Sequence, residues 1–69
     1  MKISARNVLK GKVTKITSGI VNSEVIVELP DGLEIVAVVT KSAEEGLGLE
    51  LGKDVYAVIK ASNVLLGVD

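Results

Sequence analysis

From Val21 to Leu29 polar and apolar positions alternate. Val21, Ser23, Val25, Val27 and Leu29 share one side, and Asn22, Glu24, Ile26 and Glu28 share the other. A period of two is that of a strand with one face buried. Pro30-Asp31-Gly32 follows. Proline pre-sets φ for the first turn position, aspartate favours turns and glycine accepts positive φ. The next apolar run, Leu33 to Thr40, is then a second strand, and residues 21–40 form a hairpin.

Upstream, Leu9 to Thr17 predicts another strand with a weaker pattern, in which Gly11 allows a bend or bulge. Ser18-Gly19 turns it into the hairpin. Downstream, Lys41 to Leu49 is the one helix candidate. Ser42 is its expected N-cap with Glu45 as capping-box partner, and Gly46 and Gly48 hold it to one or two turns. Leu51-Gly52-Lys53-Asp54 is a turn, Val55 to Ala61 a fourth strand and Val64 to Val68 a short fifth. The expected fold is all-β: a five-stranded antiparallel OB-like barrel in one domain, residues 1–69, with a short helical turn between strands three and four. An SH3-like barrel is the competing topology.

Composition adds the question of stability. Twelve valines and six isoleucines suit pleated sheet. A chain of 69 residues has a small core, which below roughly 70–80 residues supplies only about 3–5 kcal/mol. There is no cysteine and no histidine, so neither disulfides nor thiolate or imidazole metal ligation can reinforce it. Yet 48% of residues are hydrophobic and the mean hydropathy is +0.48. Apolar surface in excess of the core implies a homo-oligomer.

Charge excludes several functions. Eight basic residues face nine acidic ones, with a pI near 5.3, so no basic field holds a nucleic-acid backbone. Tyr56 is the single aromatic, too few for base stacking. Lys, Glu or Asp interrupts every apolar stretch before about 18 residues, and Met1 to Asn7 has no signal-peptide core; no membrane partner and a cytoplasmic location are expected. Enzyme constellations are missing. The carboxylates are scattered and read as solvated, no phosphate-binding GxxxxGK[ST] loop occurs, and without histidine there is no Ser-His-Asp triad.

Two cations stand apart. Arg6, the only arginine, lies in Ser4-Ala5-Arg6-Asn7, and Lys60 closes the fourth strand before Ala61-Ser62-Asn63. Small residues beside a cation expose backbone N–H groups, and convergent donors with positive charge suit a tetrahedral oxyanion.

These segments, Ser4-Ala5-Arg6-Asn7 with Leu9-Lys10-Gly11-Lys12-Val13, resemble the opening of the molbindin (Mop) family and the related TOBE domains. The resemblance continues through Gly19-Ile20-Val21-Asn22-Ser23-Glu24-Val25, Val38-Val39-Thr40, Leu47-Gly48-Leu49 with Leu51-Gly52, and Val58-Ile59-Lys60-Ala61. It implies a cytoplasmic molybdate- or tungstate-binding protein for storage or homeostasis, without catalysis or cofactor. The implied assembly is a hexamer, a trimer of dimers, with oxyanion sites at subunit interfaces. A first site type would use Ser4, Arg6, Thr40, Ser42, Lys60 and Ala61. The family's Thr-x-x-Ser is here the shorter Thr40-Lys41-Ser42, which ranks Ser42 behind Thr40. A second site type would use Gly19, Ile20, Val21, Asn22 and Ser23. The alternatives are a molybdate-sensing TOBE module of a regulator or transporter, an OB-fold nucleic-acid binder, and a structural oligomer without ligand.

Overall fold

The computed structural model describes residues 1–69. Four strands form one antiparallel sheet: β1 (Asn7–Ser18), β2 (Asn22–Glu28), β3 (Glu34–Thr40) and β4 (Asp54–Ile59), in the order β3-β2-β1-β4. The helix α1 (Lys41–Gly46) lies between β3 and β4, as expected, and a 3-10 turn, Ala61–Asn63, follows β4.

The long first strand has two partners. Its first half, Asn7 to Lys12, pairs with β4, and its second half, Lys12 to Ser18, pairs with β2. Changing partner midway curls the sheet into an OB-like shape. Gly11 sits at the change, buried, where a Cβ would lie 2.6 Å from Val27 Cγ1 and 2.7 Å from the Glu28 carbonyl oxygen. Only glycine lets the strands cross this closely. The irregularity expected at Gly11 falls instead between Val13 and Lys15, where the β1–β2 register slips by one residue. The slip reverses which side of β1 faces inward: Gly11 and Val13 before it, Ile16 after it. That reversal explains the weak alternation of this strand in the sequence.

The hairpin matches its pattern. Ser23, Val25 and Val27 are buried on the predicted face. Leu29 and Gly32 close the turn, with Gly32 at φ 89°, and the Asp31 carboxylate accepts from the Leu33 amide. Val21 lies outside the strand and is 72% exposed.

Val13, Val25 and Val27 are the core, with Ile16, Val39, Leu49 and Val55 packed against it. Three buried valines are a small core, as the length predicted. β3 and β4 do not pair, so the barrel is open. An apolar groove of about 350 Å³ runs between them, with Ala37 and Val39 on one wall and Val55 and Ala57 on the other.

Two expectations are corrected. No fifth strand forms: Val64 to Val68 pairs with nothing in its own chain, and Leu65, Leu66 and Val68 are all more than nine-tenths exposed. Strand-like composition makes a strand only where a neighbouring edge supplies a hydrogen-bond ladder. The helix is capped by Thr40, not Ser42. Thr40 keeps the extended backbone of β3 (φ −69°, ψ 155°), and its Oγ1 accepts from the Ala43 amide at 3.0 Å. Ser42 already lies inside the helix.

Candidate oxyanion site

The β1–β4 ladder brings the two ends of the chain together. Asn7 is opposite Ile59, and its amide donates to the Ile59 carbonyl at 3.2 Å. The residues just before Asn7 therefore meet those just after Ile59. They enclose an open cleft of about 470 Å³ lined by Ile3, Ser4, Ala5, Arg6, Lys60, Ala61 and Ser62. Four of the six residues expected at the first site type, Ser4, Arg6, Lys60 and Ala61, are brought together here.

The cleft is positive and holds no carboxylate. The side-chain ion pairs of the molecule are Lys12–Asp54 and Lys41–Glu44, so Arg6 and Lys60 are both unpaired. Ala61 opens the 3-10 turn, in which Asn63 and Val64 donate to the Lys60 and Ala61 carbonyls. The amides of Ala61 and Ser62 precede these and have no acceptor within the turn. Hydroxyls come from Ser4 and from Ser62, which the sequence reading did not single out. Two cations, two hydroxyls and turn amides make a donor set for a compact dianion.

Thr40 and Ser42 are not in this cleft. Thr40 is opposite Asn22 on the far edge of the sheet, and Ser23 beside it is opposite Ser18, the last residue of β1. Lys60 adjoins the first residue of β1. One chain thus holds the expected site as two parts, at opposite ends of β1 and on opposite sheet edges. At the Thr40 end the Thr40 and Ser42 hydroxyls lie 3.2 Å apart.

That end also carries the second expected site. Gly19 to Val21 form the tip between β1 and β2, with Ile20 97% exposed. Gly19 donates to the Asn22 carbonyl, and Lys41 donates to the Val21 carbonyl at 2.8 Å. The Ile20 and Val21 amides are not used by the turn's own hydrogen bonds and are the tip's free donors. Asn22 is exposed, whereas Ser23 is buried. The Ser23 hydroxyl is already engaged: it donates to Glu44 Oε1 at 2.5 Å, and Ser18 donates to the same carboxylate at 3.0 Å. Ser23 is therefore not a free side-chain donor.

Glu44 is a residue that sequence reasoning missed. Read as one of the scattered solvated carboxylates, it is only 13% exposed in its side chain. The hydrogen bond from Ser23, with further help from Ser18 and the charge of Lys41, holds its carboxyl below the ordinary value of 4.5. Its partners are 21 and 26 residues away in sequence, so no local pattern announces them.

The TOBE domain family matches residues 3–66. A protein of Haemophilus influenzae named probable molybdenum-pterin-binding protein is 48% identical over 69 residues, the whole of both chains. Molybdenum-pterin-binding protein 1 of Clostridium pasteurianum is 39% identical over 66 residues, covering 96% of this chain and 97% of that one. Among solved structures, apo MopII from Clostridium pasteurianum is similar with a TM-score of 0.93 at 37% identity, over 97% of this chain and 100% of that one. The cytoplasmic molybdate-binding protein ModG, solved with molybdate bound, gives a TM-score of 0.96 at 52% identity; the whole of this chain matches 49% of that chain.

Proposed function

This chain belongs to the TOBE domain family, and from that premise we propose that it is a non-catalytic binding protein for molybdate or tungstate, serving oxyanion storage or homeostasis in the cytoplasm. One observation carries the reading. Arg6 and Lys60, unpaired and without a carboxylate beside them, converge on one cleft. Two positive charges match the dianion, and Ser4 with the turn amides supplies neutral donors to its oxygens. The relatives over the full length of the chain are named for binding molybdenum-pterin, and the similar ModG structure holds molybdate.

The division of the first site type supports binding between copies. A second copy presenting its Thr40 and Ser42 to the Arg6–Lys60 cleft would complete the donor set. The surface supports an oligomer as well. Val36 and Val38 on β3, and Tyr56 and Val58 on β4, are exposed, and the groove between these strands is open. β3 is apolar on both faces, the composition of a strand covered on both sides. The Val64–Val68 segment has strand-like composition but pairs with nothing in its own chain, and β3 is an edge without a neighbour. The assembly we propose is the hexamer, a trimer of dimers, with the second site type at the Gly19–Ser23 tips.

Isothermal titration with molybdate, tungstate and sulfate, on protein whose mass is followed by sedimentation equilibrium, tests this. Saturable molybdate binding by an oligomer is the expected result. A folded monomer, or no molybdate uptake at millimolar ligand, would overturn it.

A further inference from the structure

Glu44 ties together two segments that the functional reading assigns to anion binding. It reaches from α1 to the end of β1 through Ser18 and to the start of β2 through Ser23, and Lys41 lies 3.7 Å away on its own helix. The backbone adds a second tie, from the Lys41 amide to the Val21 carbonyl. Together these fix the Gly19–Ser23 tip against Thr40-Lys41-Ser42. A carboxylate in a chain with so small a core would be expected in water, yet this one is half-buried and shared by two hydroxyls. The buried Ser23 hydroxyl has no other hydrogen-bond partner among side chains.

We propose that Glu44 is a positioning residue, which holds the tip amides and the Thr40–Ser42 hydroxyls in fixed relation for the oxyanion without touching it. The role rests on the functional reading above. A negative charge beside an anion site would ordinarily repel the ligand. Here two donated hydroxyl hydrogen bonds and the Lys41 ammonium draw that charge inward, while the Ile20 and Val21 amides at the tip stay free.

Three variants test it: Glu44→Ala, Glu44→Gln and Ser18→Ala, the last at a residue assigned to no site. Hydrogen exchange is read at the Gly19 and Lys41 amides, which close this corner, and at the Val13 and Gly52 amides, which bond across the distant β1–loop contact. Molybdate affinity is titrated on the same samples. Glu44→Ala should speed exchange at Gly19 and Lys41 about tenfold, leave Val13 and Gly52 unchanged, and weaken molybdate binding about three- to tenfold. Glu44→Gln should recover most of both effects, because its amide oxygen still accepts the hydroxyls. Ser18→Ala should repeat the pattern more weakly, and it carries the test if Glu44→Ala fails to fold. Unchanged exchange at Gly19 and Lys41, equal acceleration at all four amides, or a loosened corner with unaltered affinity would each overturn the positioning role. A wild-type chain that takes up no molybdate overturns the functional reading and this role with it, whereas a binding wild type with indifferent variants overturns this role alone.

Discussion

Arg6→Ala removes one of two cations from the cleft while leaving the fold intact. Arg6 is exposed and has no ion-pair partner, so the urea midpoint of the unliganded protein should not move. The loss falls on the anion. A charge-assisted hydrogen bond contributes about 1.5–3 kcal/mol, and the open cleft places this one toward the lower end of that range. A micromolar site has only about 8 kcal/mol in total. Affinity should therefore fall about 10- to 100-fold, one factor of ten for each 1.4 kcal/mol. Arg6→Lys should fall between, since it keeps the charge and loses the two-pronged donor. Screening gives an independent check: with a Debye length of about 8 Å at physiological salt, added sodium chloride should weaken wild type more than Arg6→Ala. Calorimetric titration at two salt concentrations, with light scattering to verify the assembly, reads all of this. Unchanged affinity and unchanged salt dependence would return Arg6 to the role of a solvated surface charge.

Gly11→Ala should destabilise by about 1–3 kcal/mol or more, because its methyl group would meet Val27 and the Glu28 carbonyl; a melting temperature equal to wild type would refute the close crossing. Acid should loosen the Glu44 corner. Its carboxyl titrates below 4.5 in the fold, so the stability it contributes is present above that value and is lost as pH falls through the lowered one. Urea midpoints at neutral and acid pH should therefore differ less in Glu44→Gln than in wild type. Sulfate should compete for the cleft better than phosphate. No carboxylate lines it, so a protonated phosphate oxygen finds no charged acceptor for its hydrogen, at a cost of about 1–3 kcal/mol; equal displacement of molybdate by the two anions in competition calorimetry would count against this.

The hairpin was legible because its two strands keep one parity from end to end, and the Pro30-Asp31-Gly32 turn fixes their register. β1 was less legible because the slip beside Val13 changes which residues face inward. Val64 to Val68 misled for a different reason: composition states a preference for strand, and a strand also needs a partner, whereas this segment pairs with neither free edge of its own sheet, β3 or β4. Thr40 took the cap from Ser42 because it ends a strand in extended backbone, the conformation an N-cap requires. At the site, Arg6 and Lys60 could be marked as unusual cations, but their meeting depends on a ladder between the first and last strands. The resemblance to a family placed them together, and the register supplies the physical reason. It does not unite them with Thr40 inside one chain. Glu44 left no trace in the sequence, since its value comes from two serines on other strands.

A cleft built from two segments far apart in sequence takes shape only after both have been made. Synthesis delivers Arg6 well before Lys60, and the contact that joins their neighbourhoods, Asn7 to Ile59, spans 52 residues. Closing so long a loop is entropically the slowest kind of pairing, so the cleft should be among the last parts of the molecule to take shape. A nascent or clipped fragment carrying either end alone holds one cation and captures no anion there. Bound oxyanion would stabilise only chains that have docked both ends, and fraying at either end would release the ligand and unfasten the other end in the same event.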